Sequence, residues 1–179
     1  RVHRICKAGF ESDVNVFIDA EESWIQPAID ELALEMMIKF NRKRALIFNT
    51  YQLYRKDRLE FLKANFFQLN ERGIFLGAKL VRGAYMEKER TRAAKMNYPS
   101  PIQDTKEDTD RDYNAALDFC MQHISGIAFC AGTHNEDSSA RLAQLMTQAG
   151  LASHDRRIWF SQLLGMSDHI SYNLAASGY

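Results

Sequence analysis

Two cations three residues apart, Lys79 and Arg82, sit in an otherwise apolar stretch, Leu76-Gly-Ala-Lys-Leu-Val-Arg-Gly-Ala-Tyr85. An unpaired charge buried in an apolar layer costs several kcal/mol, so a strand that only built a core would not carry both. Gly83 and Ala84 follow directly and remove side-chain bulk where a ligand could approach the backbone. Fixed positive charge beside bare N–H groups suits an anionic ligand with a phosphate portion; the alternative is an edge strand with solvated cations before a glycine turn. Asp19 ends a second apolar run, Val14–Asp19, as a site carboxylate or as an acid favoured by the dipole of the helix that follows. Gln52 ends Asn49-Thr-Tyr-Gln52, where it could hydrogen-bond a heterocycle or cap a turn. Thr133-His134-Asn135 precedes a helix, with Asn135 a suitable N-cap, and Gln162 follows another apolar run. His123, His154 and His169 show no metal-ligand spacing, and no metal site is expected.

The elements that must position these residues alternate between strand and helix. Strands are expected at Val14–Asp19, Ala45–Thr50, within Leu76–Tyr85, at Ile127–Ala131 and at Ile158–Ser161. Between them run apolar stripes of helical spacing: Ile25, Ile29, Leu32, Met36 and Phe40; then Leu59, Leu62, Phe66 and Leu69, stopped by Gly73. A third joins Tyr113, Ala116, Leu117, Cys120, Met121 and Ile124, and a fourth joins Leu142, Leu145, Met146 and Ala149, closed by Gly150. Ser23 with Gln26 has the form of a capping box, and Pro27 falls in a first turn. Residues 87–106, broken by Pro99 and Pro101, read as a polar irregular segment, and 168–176 as a last helix.

Units of about 30 residues match a right-handed crossover and a parallel sheet covered by helices. A doubly wound nucleotide fold is one candidate, but no GxGxxG follows an early strand. Polar residues instead gather at every strand's C-terminal end, the ends that share one mouth in a (βα)8 TIM-like barrel. Such a barrel takes roughly 250 residues, and the chain has 179. The expectation is therefore a single partial barrel domain over residues 1–179, about five of eight βα units, truncated at both ends.

Composition sets the outer limits. Apolar residues make 46% and charged residues 26%, as in a globular domain with a core. Lysine plus arginine balances aspartate plus glutamate at 23 each, which gives no basic footprint for nucleic acid. No apolar run approaches the roughly 18 residues of a membrane span, and Arg-Val-His-Arg-Ile-Cys6 is no apolar h-region. Cys6, Cys120 and Cys130 show no CxxC spacing, so neither a disulfide framework nor a zinc site is expected, and a reducing compartment is.

Taken in series, Phe17-Ile-Asp19-Ala-Glu21, Asn49-Thr-Tyr-Gln52, Lys79-Leu-Val-Arg-Gly-Ala-Tyr85, Thr133-His-Asn-Glu-Asp137 and Gln162-Leu-Leu-Gly-Met166 resemble the FAD-dependent proline dehydrogenase family, in the family's order and over essentially the whole chain. The resemblance implies a distorted (βα)8 barrel that oxidises L-proline to Δ1-pyrroline-5-carboxylate, the first step of proline catabolism, passing electrons through FAD to a quinone. Carried over by position, Lys79 resembles the cation beside flavin N5, where many members have arginine, and Asp19 the active-site carboxylate. Ala20, Gln52, Arg82, Gly83, Ala84, Thr133, His134, Asn135 and Gln162 resemble FAD contacts. Leu80, Tyr85 and Leu163 match positions that wall the proline pocket with Asp19.

The family's final-helix arginine pair, its substrate-reading tyrosine and an early-strand lysine have no counterpart in the 179 residues. The piece alone is therefore expected to be inactive. The resemblance also implies a bacterial cytoplasmic protein with peripheral membrane contact, or one of the mitochondrial matrix and inner membrane. Hydroxyproline dehydrogenation is an alternative within the family. Outside it stand a barrel aldolase using Lys79 as a Schiff-base amine and a non-enzymatic partial-barrel module.

Overall fold

Five strands, all parallel, lie side by side in the order in which the chain makes them: β1 (Val16–Ile18), β2 (Ile47–Gln52), β3 (Leu76–Val81), β4 (Ile127–Gly132) and β5 (Ile158–Ser161). The computed structural model describes residues 1–179. A doubly wound sheet reverses its strand order at a switch point; this sheet never does, and it forms a curled half-barrel. Seven helices accompany it: α1 (Val2–Glu11), α2 (Gln26–Phe40), α3 (Arg58–Asn70), α4 (Met86–Met96), α5 (Lys106–Gln122), α6 (Glu136–Gln148) and α7 (Asp168–Ala176).

The period of two along a strand divides the residues between two faces. Ile47, Tyr51, Leu76, Ala78, Leu80, Ile127, Phe129 and Ala131 point outward into the main core, where they meet Leu62, Phe66 and Leu69 of α3, Leu117 and Cys120 of α5, and Leu142 and Met146 of α6. The other face carries Phe48 and Ala128, packed with Phe75 and Trp159. Phe17 stacks on Phe48 at 4.6 Å, and Trp159 meets Phe48 edge-on at 5.5 Å. Gly77 makes room for this floor, since a Cβ there would lie 2.2 Å from the Ile47 carbonyl and 2.9 Å from the Phe48 ring. Thr50, Lys79, Cys130 and Trp159 are register partners across four strands, one row on this inner face.

Several local expectations change. β1 and β2 start two residues later than the apolar runs, and β2 and β4 extend to Gln52 and Gly132. The segment expected to be irregular contains α4, because Met-Glu-Lys-Glu-Arg-Thr-Arg-Ala-Ala-Lys-Met is rich in good helix formers and the prolines lie beyond its end. Asn97, in the left-handed region at φ 54°, closes it. The capping box does not form: Ile25 is the N-cap of α2, Ser23 turns to Glu89, and Gln26 accepts from the Glu21 N–H. The buried face of α2 is Gln26, Asp30, Ala33 and Met37 with Met36, rotated from the expected stripe, and Ile25 is exposed. The rotation puts Asp30 against Asn49 and Arg58, with donors at 2.8 and 2.7 Å. Asn135 does cap α6, accepting from the Ser138 N–H at 2.8 Å.

Candidate active site

All five strands deliver their C-terminal ends to one cleft of about 810 Å³. The first strand brings Asp19 and Ala20, the second Gln52, the third Lys79, Arg82, Gly83, Ala84 and Tyr85. The fourth brings Thr133, His134 and Asn135, and the fifth Gln162 and Leu163. Of the residues singled out in the sequence, Leu80 alone lies elsewhere. It is fully buried in the main core, because neighbours on a strand face opposite ways and Lys79 takes the inner position. Leu80 therefore belongs to the layer between sheet and helices and not to the wall of a pocket.

Lys79 rises from the inner row and pairs with Asp19, Nζ to Oδ1 at 2.6 Å. Its side chain is 26% exposed and that of Asp19 70%, so the pair stands at the cleft and not in the core. The segment that carries Asp19 is tied down on its far side. The Gln52 amide donates to the Glu21 carbonyl at 2.7 Å, and the Glu21 N–H donates to Gln26 at 2.8 Å. Gln26 in turn donates to Asp30 at 2.8 Å, whose other oxygen accepts from Arg58. Thr50 donates to the Ile18 carbonyl at 2.9 Å, which fixes the end of β1.

Arg82 is held from several sides. Its guanidinium donates to Asp110 at 2.7 Å, to Thr133 at 2.6 Å and to Ser138 at 3.0 Å, and lies 4.3 Å over the Tyr113 ring. Burial pushes the Asp110 carboxyl up, but hydrogen bonds from Lys106 and Arg82 outweigh it and hold the group below its usual range. Arg82 is thus a preoriented cation. Gly83, at φ 140°, packs its backbone on the Tyr54 ring; a Cβ would lie 2.4 Å from that ring. Burial, then the charge of Glu89, pushes the Tyr54 phenol up to about 12, and its hydroxyl has no partner. Tyr85 donates to Glu21 at 2.7 Å, which keeps its phenol protonated to higher pH. Gln162 donates to the Thr133 carbonyl at 3.3 Å and accepts from Ser171 at 2.8 Å. Burial raises the Cys130 thiol beneath the cleft, against the effects of Ser161 and Lys79.

Sequence reasoning passed over Glu21, Thr50, Lys106 and Ser161, which also line the cleft. Thr50 and Ser161 could have been found by the period of two, since both fall on the face of Lys79. Lys106 arrives from the start of α5 after a long connection, and nothing local marks it. No group of three or more His, Cys, Asp and Glu side chains is arranged to hold a metal ion, and no helix is long and apolar enough to cross a membrane.

Comparison with known proteins gives a consistent answer. The sequence model of a family described as proline dehydrogenase matches residues 1–179. "Proline dehydrogenase 1, mitochondrial" of Homo sapiens is 41% identical over 182 residues, covering 100% of this chain and 30% of that protein. Its namesake in Drosophila melanogaster is 38% identical, with 100% and 28% covered. "Carbapenem antibiotics biosynthesis protein CarD" of Pectobacterium carotovorum is 42% identical, covering 93% and 42%. The chain thus spans about a third of the length of these curated relatives. Among solved structures, proline utilization A from Bdellovibrio bacteriovorus, inactivated by N-propargylglycine, superposes with a TM-score of 0.91. The match has 22% identity and covers 99% of this chain and 18% of that one. At that identity the superposition establishes the fold, while the family model, matched from the first residue to the last, establishes descent: the chain belongs to the proline dehydrogenase family.

Proposed function

We propose that the cleft is the site at which L-proline is oxidised to Δ1-pyrroline-5-carboxylate with FAD as cofactor. The observation that carries the reading is the meeting, in one cleft, of the Lys79–Asp19 pair with the Gly83 turn and the cations Arg82 and Lys106. The residues present fit FAD. Gly83 lines the cleft with bare backbone, because the Tyr54 ring behind it leaves no room for a side chain. Arg82 and Lys106, with the capped N-terminus of α6, offer positive potential to a pyrophosphate, and His134 beside them offers a ring nitrogen. Gln52 and Lys79 offer donors to a ring system, and Ala20, Ala84, Thr133, Asn135 and Gln162 complete the contacts. FAD, when bound, supplies the two-electron acceptor for the hydride that leaves the carbon next to the proline nitrogen.

The chain's own residues do the rest. Lys79 keeps a fixed positive charge at the cleft floor, where negative charge develops as the hydride arrives. Asp19 accepts hydrogen bonds and orients the substrate amine. Tyr85 and Leu163 supply apolar surface against which the ring rests, and a pocket of that kind favours the neutral amine that hydride loss requires.

The two edges β1 and β5 each pair on one side only, and the aromatic floor of Phe17, Phe48 and Trp159 faces inward. Both features support five units of an eight-unit barrel in a single domain over residues 1–179; that the 179 residues alone are inactive rests instead on the family's carboxylate-gripping arginines having no counterpart among them. A quinone as electron acceptor, with peripheral membrane contact, completes the reading; the mitochondrial names of the relatives favour the matrix and inner membrane over a bacterial cytoplasm.

The test is the anaerobic absorbance spectrum of the intact protein that carries this chain, before and after L-proline, with 4-hydroxyproline alongside. A flavin spectrum bleached by proline is expected. A colourless protein, or a flavin that proline leaves oxidised, overturns the reading.

A further inference from the structure

Two neighbouring segments that wall the cleft are also joined outside it. One is the loop from Asp19 to Ile25; the other begins at Tyr85 and runs into α4. The Ser23 N–H donates to one carboxyl oxygen of Glu89 at 2.6 Å, and the Ser23 hydroxyl donates to the other at 2.7 Å. Glu89 is wholly buried, and no cation pairs with it. Weaker links surround this bond: Tyr85 to Glu21, Lys88 to Glu22, and the Arg92 guanidinium 4.4 Å over the Trp24 ring.

An acid in the first turn of a helix is favoured by the helix dipole, but an exposed glutamate would serve that purpose equally. Burying a carboxyl is costly unless its oxygens are satisfied. Here both are spent on a single residue of a loop 66 positions away in sequence. Neither Glu89 nor Ser23 lines the cleft. Each sits a few residues from one that does: Glu89 four beyond Tyr85, Ser23 four beyond Asp19.

We propose that Glu89 is a positioning residue that clasps the Asp19 loop to the Tyr85 segment and so fixes the spacing of the two substrate-facing walls. The inference rests on the reading of the cleft as a proline-oxidising site. It makes the substrate pocket depend on a contact that touches neither substrate nor cofactor. Misplacing pocket walls by a fraction of an ångström weakens substrate binding before it disturbs the redox step.

The test compares Glu89→Gln, which keeps the volume and one acceptor oxygen, with Ser23→Ala and the double variant, in the intact flavin-loaded protein. The expected result is a rise of about tenfold in KM for proline in each single variant, with kcat and flavin content nearly unchanged and little further rise in the double variant. Backbone amides of residues 20–25 should exchange with deuterium about tenfold faster in Glu89→Gln. A role in stability alone would lower the melting temperature and leave KM unmoved below it, and an unchanged KM overturns the proposal. Should the unaltered protein fail to oxidise proline, the functional reading falls by itself. The clasp is then judged on exchange: faster exchange at residues 20–25 upholds it, and an unchanged rate overturns it.

Discussion

Replacing Gly83 by alanine isolates the backbone feature on which the cleft wall depends. Two penalties are expected. At φ 140° an L residue occupies a conformation that side chains rarely adopt, which costs on the order of 1–3 kcal/mol. The new Cβ would also lie 2.4–2.6 Å from three carbons of the Tyr54 ring, which is 4% exposed and has nowhere to swing. Overpacking of that kind costs roughly another 1–3 kcal/mol. Together they come to about 2–6 kcal/mol, a large part of the roughly 5–15 kcal/mol that typically holds a fold. Where the chain stays folded, the turn must shift away from Tyr54 and narrow the space beside Ala84. Urea unfolding of the intact protein gives the first quantity, and the flavin that survives gel filtration reads the second.

Two companions separate the terms. Gly73→Ala, at φ 64° with nothing within 4 Å of the added Cβ, carries only the conformational cost of about 1–2 kcal/mol and should keep full flavin. Tyr54→Ala combined with Gly83→Ala removes the clash but not the dihedral strain. The double variant should therefore be less destabilised than the sum of the singles, by about 1–3 kcal/mol. A Gly83→Ala protein within about 0.5 kcal/mol of the original, with full flavin, would refute the reasoning.

Lys79→Met should cost less than about 1 kcal/mol of stability, since its partner Asp19 is largely exposed, yet abolish bleaching of the flavin by proline; stopped-flow absorbance reads this, and unaltered reduction rates would count against Lys79. Leu80→Ala should do the reverse, losing about 2–5 kcal/mol in denaturant unfolding through a cavity in the main core while KM for proline holds. Asp110 governs a pH effect. Its carboxyl lies below the usual value in the folded protein, so the stability it confers is fully present above its unfolded pKa of about 3.9 and is lost as the pH falls through the folded value. The stability gap between the original protein and Asp110→Asn should stay constant above about pH 5 and shrink below pH 4; a gap that persists at the lowest pH at which the fold survives would speak against the Arg82–Asp110 pair.

How far the molecule could be read from its sequence varies by element. β5 lies where its apolar run lies, between Arg157 and Gln162, whereas β3 stops at Val81, short of Tyr85, because the chain turns through Gly83 at φ 140°. The α3 and α5 stripes fall within the observed buried faces, since Leu62, Phe66 and Leu69 of α3 and Ala116, Leu117 and Cys120 of α5 all enter the main core or its helix layer, beside polar neighbours such as Asn65 and Thr109 that a stripe does not mark. α2 misleads because its buried face includes Gln26 and Asp30, polar residues that a hydrophobic stripe excludes. α4 is legible in its helix-forming residues, and Pro99 and Pro101, which break the polar stretch in sequence, lie beyond its end.

Local chemistry was enough to determine the parallel order of elements, the five polar strand ends and the family pattern they compose. Each is a matter of residue type and spacing along one chain. Tertiary structure decided which neighbour on a strand faces inward, and so separated Lys79 from Leu80. It also decided the partners that polar side chains take: Asp19 with Lys79, Arg82 with Asp110, Ser23 with Glu89. Those pairs join residues 28 to 66 positions apart. A charge or hydroxyl has no sequence preference among distant partners of the right kind, and only the curl of the sheet, by bringing particular strand ends and helices within 3 Å, makes the choice.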